Sequence, residues 1–192
     1  MSADPWLERW QPLIASYANQ TPILELGCGA GDDTVTLAQA GYDVVALELS
    51  AESVAKVKAR VPGACVHCQD IRAPLPVSPG GAGVVVASLS LHYFEWEETM
   101  DLIERIRQTL NHPGLLLCRL NSTNDHNYGA SGHPRISENY YCVNGKPKRF
   151  FDRDAVVKLF ASGWNLLSME ELITHKYEQP KALWEIALET GT

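Results

Sequence analysis

Three glycines at alternate positions interrupt the stretch Ile23–Thr34, between a short apolar run and a helix-like pattern that begins with two aspartates. Gly27, Gly29 and Gly31 can adopt a positive φ or let the backbone approach a ligand closely. The helix that follows points its unpaired N–H groups and positive dipole end at the turn, which favours a carboxylate or a phosphate there. Together, the strand, the bare turn and the helix start predict a loop that binds an adenosine-containing cofactor.

The spacing of the glycines and the acid that precedes them indicate which kind of adenosine cofactor the loop would bind. The dinucleotide fingerprint is Gly-x-Gly-x-x-Gly, whereas this chain has Gly-x-Gly-x-Gly, with Asp32 where the last glycine of that fingerprint would stand. Glu25, on the strand, would repel a pyrophosphate but suits a ligand that carries an ammonium group. A tight turn between strand and helix that binds nothing remains the alternative.

Two further strand-like runs lead to acids. Glu48 ends the run Tyr42–Glu48, roughly twenty residues after the first glycine, and an acid at that point can accept both hydroxyls of a ribose. Nicotinamide and methyl-donor cofactors share this device, so Glu48 indicates adenosine without distinguishing the two. Asp70, after the run Ala64–Gln69, is a second candidate, with a cap on the following turn as its alternative role.

These features resemble the class I S-adenosylmethionine-dependent methyltransferases. The family's Glu/Asp-x-Gly-x-Gly-x-Gly core is matched by Glu25 and the three glycines. The order of predicted elements extends the resemblance over nearly the whole chain. The compact size and the sequence Ser-Leu-Ser-Leu-His-Tyr-Phe at residues 88–94 are similar to the small-molecule branch, which includes tellurite-resistance-type enzymes. The resemblance implies that the glycine loop surrounds the amino-acid end of S-adenosylmethionine, and that S-adenosylhomocysteine is the product.

The resemblance also implies where the rest of the cofactor binds. In the family, an acid after the third strand faces the exocyclic amine of adenine and an apolar neighbour lies beside the ring. Asp70 and Ile71 match this pair, and the segment that begins at Ser88 matches the one that touches the methionine part. The cofactor-binding residues implied in this way are Glu25, Gly27, Cys28, Gly29, Gly31, Glu48, Leu49, Asp70, Ile71, Ser88 and Leu89.

The residues after the fourth strand and the long segment 121–149 are the candidates for the methyl-acceptor side. His92 is the first candidate for a general base, with a hydrogen-bonded histidine that closes a loop as the alternative. The polar and aromatic segment 121–149 predicts a lid or binding loop, or else a solvated insertion, and its Asn-Gly pair predicts a hairpin. The candidate acceptor-pocket residues are Trp6, Trp10, Tyr93, Asn121, Tyr128, His133, Tyr140 and Arg149.

Composition restricts the partners and the location. The formal net charge is -7, with no basic cluster beyond Lys146–Arg149, which argues against nucleic acid as the substrate. No apolar segment has the length of a membrane span, and the amino terminus lacks the pattern of a secretory signal. Five cysteines, an odd number, predict reduced thiols and a cytoplasmic location. Cys65 and Cys68 lie in a strand-like run, where their side chains face opposite ways, and no second pair completes a tetrahedral site, so no metal site is predicted. Both cysteines are expected to be buried or half-buried.

The expected architecture is a single domain over residues 1–192. Apolar runs that alternate with helical patterns indicate an α/β fold, and the resemblance implies a doubly wound, mostly parallel seven-stranded sheet with an antiparallel last strand. Asp4 is expected to cap a first helix that carries Trp6 and Trp10. These tryptophans either pack that helix on the sheet or cover the cofactor mouth.

The reaction that the resemblance implies is direct displacement, in which a nucleophilic atom of a small-molecule acceptor attacks the methyl carbon of the sulfonium. The protein aligns the reactants and excludes water. One alternative is a nicotinamide-dependent oxidoreductase, against which the glycine spacing and Glu25 argue. Another is a protein of the same fold that binds S-adenosylmethionine without catalysis, as a partner or regulatory subunit. The oligomeric state is left open.

Overall fold

A seven-stranded sheet lies at the centre of the computed structural model, which describes residues 4–18 and 20–191. The strands are β1 (Ile23–Leu26), β2 (Val44–Glu48), β3 (Cys65–Cys68), β4 (Ala82–Ser88), β5 (Leu110–Asn121), β6 (Arg135–Ser137), β7 (Tyr140–Val143), β8 (Lys146–Arg149), β9 (Trp164–Thr174) and β10 (Lys181–Thr190). The helices are α1 (Gln11–Ala18), α2 (Asp32–Gln39), α3 (Ala51–Arg60), α4 (Trp96–Thr109) and α5 (Arg153–Leu159). The predicted domain bounds, Met1 and Thr192, lie outside the described residues.

The order of strands across this sheet is β3-β2-β1-β4-β5-β10-β9. β10 is antiparallel to both of its neighbours, and the other six strands are parallel to one another. This confirms the predicted doubly wound, mostly parallel sheet with an antiparallel last strand. Because β1 is paired with both β2 and β4, the strand order reverses at β1, and a crevice opens at the carboxyl ends of these strands.

Alternate residues of the central strands pack into two hydrophobic cores, one on each face of the sheet. Leu24 of β1 and Val85 of β4 belong to the core beneath α4 and α5. Their neighbours Ile23 and Val84 belong to the core beneath α1, α2 and α3. Side chains along a strand alternate between its faces, and burial on both faces explains why these strands are mainly apolar, with Glu25 of β1 as an exception.

The amino-terminal helix begins later than predicted. A short 3-10 turn at Glu8–Trp10 leads into α1, and Asp4 does not cap it. Instead, the Asp4 carboxylate lies 2.7 Å from the guanidinium of Arg119, a buried residue of β5. A buried arginine needs a charged partner, so this contact takes precedence over the local capping role.

The prediction that Cys65 and Cys68 are buried or half-buried is wrong. Both thiols are exposed, because β3 is an edge strand of the sheet and is only partly covered. Within residues 4–18 and 20–191, no group of three or more His, Cys, Asp or Glu side chains is arranged to hold a metal ion. In the same residues, no helix has the length and apolar character that a membrane crossing requires.

The segment 121–149 contains a second, three-stranded sheet in the order β6-β7-β8. Asn144 and Gly145 form the turn between β7 and β8, and their φ angles are 52° and 78°. A two-residue hairpin turn with positive φ at both positions is the type that Asn-Gly favours. The predicted hairpin is therefore confirmed, and β6 extends it into a sheet.

Candidate active site

A cavity of about 1170 Å³ opens at the carboxyl ends of β1, β2 and β4, the edge at which ligands bind in open α/β sheets. One side is formed by the loop after β1 and the ends of β2 and β3. The other side is formed by the segment after β4, the small sheet and the loop between β9 and β10. All of the predicted cofactor-binding residues line this cavity except Gly31.

The three glycines of the loop have different structural roles. A Cβ on Gly27 would lie 2.6 Å from the Cβ of Ser90, so only glycine fits there. Gly29 has a φ of +53°, with open space where a Cβ would project. Gly31 precedes α2, and a Cβ on it would lie 2.8 Å from a methyl of Val57. Gly31 is therefore explained by the packing of α2 against α3, whereas Gly29 leaves the backbone of the loop open to a ligand.

Glu25 is a buried carboxylate at the cavity wall. Its Oε2 accepts a hydrogen bond from the Thr34 hydroxyl in the first turn of α2, at 2.5 Å. Burial, and then the negative charge of Asp33, raise the pKa of Glu25 to about 8. A positively charged ligand group beside Glu25 would favour its ionised form. The contact with Thr34 was not predicted from the sequence.

Glu48 is held in place by the backbone on both sides. Its Oε2 accepts the N–H of Gly29 at 2.9 Å, and its Oε1 accepts the N–H of Ser50 at 2.8 Å. These bonds tie the end of β2 to the glycine loop and fix the orientation of the carboxylate at the cavity. Each carboxylate oxygen has a second acceptor site, so Glu48 retains capacity for ligand hydroxyls.

Asp70 lines the cavity and is also engaged by Arg72. The Arg72 guanidinium lies 2.6 Å from Oδ2, and the Arg72 backbone N–H is donated to Oδ1 at 2.9 Å. The side-chain hydrogen bond from Arg72 holds the pKa of Asp70 below its usual value. Asp70 therefore caps the following turn, as the alternative prediction had it, and also lines the cavity.

Leu89 combines an unusual backbone with a position at the cavity. Its φ is +56°, a left-handed value that non-glycine residues rarely adopt. The Leu89 N–H is donated to the carbonyl of Arg119 at 2.9 Å, which holds the turn after β4 against β5. Backbone strain of this kind is concentrated at functional sites.

His92 is buried in the acceptor-side wall with 3% of its surface exposed, and neither ring nitrogen has a hydrogen-bond partner among the described residues. Burial lowers the pKa of His92 well below its ordinary value, and the charges of Lys148 and Lys181 lower it further. A neutral imidazole offers one donor and one acceptor. The backbone of His92, and not its ring, secures the neighbouring chain, since its carbonyl accepts the N–H of Arg149 at 2.7 Å.

Lysines from β8, from β10 and from the loop between β9 and β10 lie on the acceptor side of the cavity. Lys181 is ion-paired with Asp125, and Lys176 lies 3.0 Å from the carboxylate of the first residue of α2. Lys148 donates a hydrogen bond to the Tyr128 carbonyl at 2.9 Å and has no carboxylate partner in the described part of the chain. Lys181 and Asp125 are 56 positions apart, so no local motif connects them.

The predicted acceptor-pocket residues divide into two groups. Tyr93, Asn121, Tyr128 and Tyr140 line the cavity, and Trp6, Trp10, His133 and Arg149 do not. The indole of Trp6 donates to Asp33 at 2.9 Å, and the indole of Trp10 donates to Glu185 at 2.9 Å. Both tryptophans thus pack the amino-terminal segment against the rest of the protein.

Comparisons of sequence find methyltransferases. A protein-family model described as "Methyltransferase domain" matches residues 23–114, which extend from β1 into β5. An uncharacterized methyltransferase of Synechocystis sp. is 32% identical over 93 residues, 48% of this chain and 43% of that protein. A protein of Geobacillus sp. named as a methyltransferase is 29% identical over 126 residues, 62% of this chain and 51% of that protein. The chain thus spans about half the length of the curated relatives that it matches.

Solved structures share the architecture over nearly the whole chain. The PH0226 protein of Pyrococcus horikoshii OT3 has a TM-score of 0.77 at 16% identity, covering 97% of this chain and 90% of that one. An S-adenosylmethionine-dependent methyltransferase of Clostridium acetobutylicum has a TM-score of 0.77 at 13% identity, covering 100% and 93%. The 1,6-didemethyltoxoflavin-N1-methyltransferase of Burkholderia thailandensis, solved with 1,6-didemethyltoxoflavin and S-adenosylhomocysteine, has a TM-score of 0.76 at 15% identity, covering 100% and 80%. The fold is the Rossmann-like fold of class I methyltransferases.

Proposed function

We propose that this chain is an S-adenosylmethionine-dependent methyltransferase that acts on a small-molecule acceptor. The observation that carries the proposal is the convergence of Glu25, Glu48 and Asp70 on one cavity beside the glycine loop. The methyltransferase-domain match over residues 23–114 supports the same activity. The Burkholderia enzyme of this fold, which was solved with 1,6-didemethyltoxoflavin, supports a small-molecule acceptor. All five cysteines are free thiols, which supports a cytoplasmic location.

Each part of S-adenosylmethionine has a partner in this proposal. Glu25 receives the ammonium group, and its ionised form is then stabilised by the opposite charge. Glu48 accepts hydrogen bonds from the ribose hydroxyls. Asp70 accepts one from the exocyclic amine of adenine, and Ile71 packs against the ring. The open space at Gly29 lets the backbone approach the amino-acid end of the ligand.

The transfer itself needs little chemistry from the protein. A lone pair of the acceptor forms a bond to the methyl carbon, while the carbon–sulfur bond breaks and its electron pair stays on sulfur. Positioning of the two reactants can supply about 7–11 kcal/mol of the barrier. His92 is neutral, and its ring nitrogens have no hydrogen-bond partner in the part of the chain that the structure describes, so the ring can orient a polar group of the acceptor or accept its proton.

Calorimetric titration of S-adenosylmethionine into the parent protein and two variants tests this proposal. Gly29→Val places a β-branched residue at a left-handed φ beside the ligand, and Glu48→Ala removes the carboxylate that fixes the loop. We expect saturable binding by the parent and a loss of at least about tenfold in affinity for each variant. Gly41→Val is the matched control for the first, because Gly41 also has a positive φ and open space but lies outside the cavity. Glu52→Ala, on the exposed face of α3, is the control for the second.

NAD titrated in parallel tests the oxidoreductase alternative. The Tyr-x-x-x-Lys spacing, which would favour that alternative, occurs once in the chain, at Tyr177 and Lys181. Those two residues lie in a loop and at the start of a strand, and Lys181 is ion-paired with Asp125. Saturable binding of NAD, with no binding of S-adenosylmethionine, would contradict the proposed methyltransferase activity and favour an oxidoreductase.

Turnover distinguishes an enzyme from a silent binding protein of the same fold. S-adenosylhomocysteine formation is measured with thiols, phenols, amines and oxyanions as acceptors. We expect at least one class to accelerate product formation above the rate without acceptor. Tight binding of S-adenosylmethionine with no acceptor-dependent turnover would favour the silent protein.

A further inference from the structure

The cavity has three carboxylates beside the glycine loop and several lysines on its acceptor side. Acidic residues dominate the cofactor side, where Glu25, Glu48 and Asp70 lie. On the acceptor side, Lys148 from β8 and Lys181 from β10 approach the Tyr128 ring, with their Nζ atoms 5.8 Å and 4.9 Å from its centroid. Lysines from different elements thus meet at the surface that an acceptor would contact.

Lys148 is the cation of this group that a ligand can engage. The charge of Lys181 is balanced by Asp125, with which it forms a buried ion pair. Lys148 is half-buried, and within residues 4–18 and 20–191 its Nζ donates a hydrogen bond to the Tyr128 carbonyl alone. Burial, and then the charge of Lys181, lower the pKa of Lys148 to about 8. An anion at this position would compensate the desolvated charge.

Two buried polar groups beside the lysines have no partner among the described residues. Both nitrogens of His92 are unpartnered, and so is Oδ1 of Asn121, which is fully buried. Each residue lines the cavity. Buried polar atoms without partners are rare in folded proteins and call for an explanation. A ligand with both hydrogen-bonding and anionic groups would satisfy them.

The surrounding wall is aromatic. Tyr93, Tyr128, Tyr140 and Tyr177 line the cavity on this side, and the Tyr93 ring packs on that of His92 with centroids 4.1 Å apart. Flat aromatic walls favour a ring in the ligand through stacked or edge-on contacts. The tyrosines therefore offer a surface on which a ligand ring can pack, and Lys148 offers a positive charge for an anionic group of the same ligand.

We propose that the methyl acceptor is a small aromatic acid, whose anionic group binds to Lys148 and whose ring lies between the tyrosines of the acceptor side. This inference rests on the proposed function, because it assigns the substrate class of the same cavity. Lys148 determines specificity by binding the anionic group, and His92 and Asn121 hydrogen-bond to the remaining polar groups.

Benzoate and benzamide form a matched pair of probes, since they have similar shape and differ in charge. Binding of each is measured by ligand-observed NMR titration to protein saturated with S-adenosylhomocysteine. We expect the parent to bind benzoate at least about tenfold more tightly than benzamide. Lys148→Met should abolish this preference and Lys148→Arg should retain it. Lys58→Met, which removes an exposed lysine of α3 outside the cavity, should leave it unchanged.

Equal affinity of the parent for both probes would overturn the inference, and so would failure of the parent to bind benzoate. A preference that survives in Lys148→Met would overturn it as well. S-adenosylhomocysteine affinity is measured on every sample and shows that each variant is folded. A parent that binds S-adenosylhomocysteine without preferring benzoate contradicts only this inference. A parent that does not bind S-adenosylhomocysteine contradicts the proposed function itself.

Discussion

At Glu25, burial within the cavity wall and the proximity of Asp33 act against ionisation. The folded-state pKa of about 8 lies above the ordinary value of 4.5. Protonated Glu25 therefore contributes stability that is fully present below pH 4.5 and is lost as the pH rises through about 8. The same group, when ionised, provides the negative charge that an ammonium ligand requires.

Replacement of Glu25 by glutamine should remove this pH dependence. The amide stays uncharged and can still accept the Thr34 hydroxyl, so Glu25→Gln should gain stability relative to the parent between about pH 5 and pH 8. Urea unfolding of both proteins at the two pH values measures the difference. A difference in stability that is the same at both pH values would show that Glu25 is not the titrating group.

His92 should act in its neutral form, because burial and the two neighbouring lysines keep its pKa well below the usual value. We predict that His92→Phe, which keeps a ring and removes both nitrogens, lowers kcat/KM for the acceptor about tenfold, since one hydrogen bond to the acceptor is lost. The affinity for S-adenosylhomocysteine should be unchanged. The pH profile distinguishes the roles: an acidic limb well below pH 6.5 in the parent that vanishes in the variant would show that His92 titrates as a base. The same profile in both proteins would show that His92 only orients the acceptor.

At the scale of elements, the small sheet β6–β8 is fixed to the segment after β4. The Tyr140 hydroxyl donates to the Tyr93 carbonyl at 2.9 Å, and the buried Arg149 donates its Nε to the Phe94 carbonyl at 3.3 Å and its backbone N–H to the His92 carbonyl. The insertion thus supports His92 and Tyr93 from behind, although Arg149 itself does not line the cavity.

Removal of the Arg149 guanidinium should loosen this support. Arg149→Met leaves the Phe94 carbonyl without its donor, which costs about 1–3 kcal/mol. We expect the acceptor KM to rise while the affinity for S-adenosylmethionine stays constant. Urea unfolding and steady-state kinetics measure the two effects, with Arg135→Met, an exposed arginine of β6, as the control. If Arg149→Met weakened cofactor binding as much as acceptor binding, the division of the cavity into a cofactor side and an acceptor side would be contradicted.

Local sequence predicted some of these elements and missed others. The hairpin was predictable because Asn144 and Gly145 carry the turn by their own conformational preferences. The strand Arg135–Ser137 was not, since it has three residues and all of them are exposed. The positions of Lys148 and Lys181 at the cavity were not predictable, because they depend on contacts between segments that are far apart in the sequence.

At the scale of the whole molecule, a buried charged cluster attaches the amino-terminal segment to the sheet. Arg119 of β5 lies 2.7 Å from Asp4 and 3.8 Å from Glu185 of β10, and its guanidinium lies 4.9 Å from the centroid of the Trp6 ring. Glu185 is also 2.7 Å from Arg9. The cluster joins the first described residues to the last strand behind the cofactor loop.

Arg119→Met should therefore destabilise the protein by about 3 kcal/mol, because it leaves the Asp4 carboxylate without its partner in a buried setting. Glu185 keeps its contact with Arg9, which limits the loss. Arg153→Met, an exposed arginine of α5, is the control and should change stability by less than about 0.5 kcal/mol. Equal stability of the two variants in urea unfolding would show that the cluster contributes nothing.

The strands were predictable from local apolar runs, and the topology of the sheet followed from the resemblance to the class I methyltransferases. Apolar runs define the central strands, and the strand ends place Glu25, Glu48 and Asp70 at one edge. The positions of Trp6 and Trp10 were not predictable in this way. Their indoles find carboxylates on α2 and β10, and that choice depends on how the amino-terminal segment packs against the complete sheet.

A crystal structure of the protein with S-adenosylhomocysteine tests the central claim most directly. The account predicts that the ligand occupies the cavity beside the glycine loop, with Glu48 within hydrogen-bond distance of the ribose hydroxyls. The adenine amine should contact Asp70, and the ammonium group should lie next to Glu25. Electron density for the ligand at another place, or in the cavity without contact to any of these carboxylates, would contradict the account.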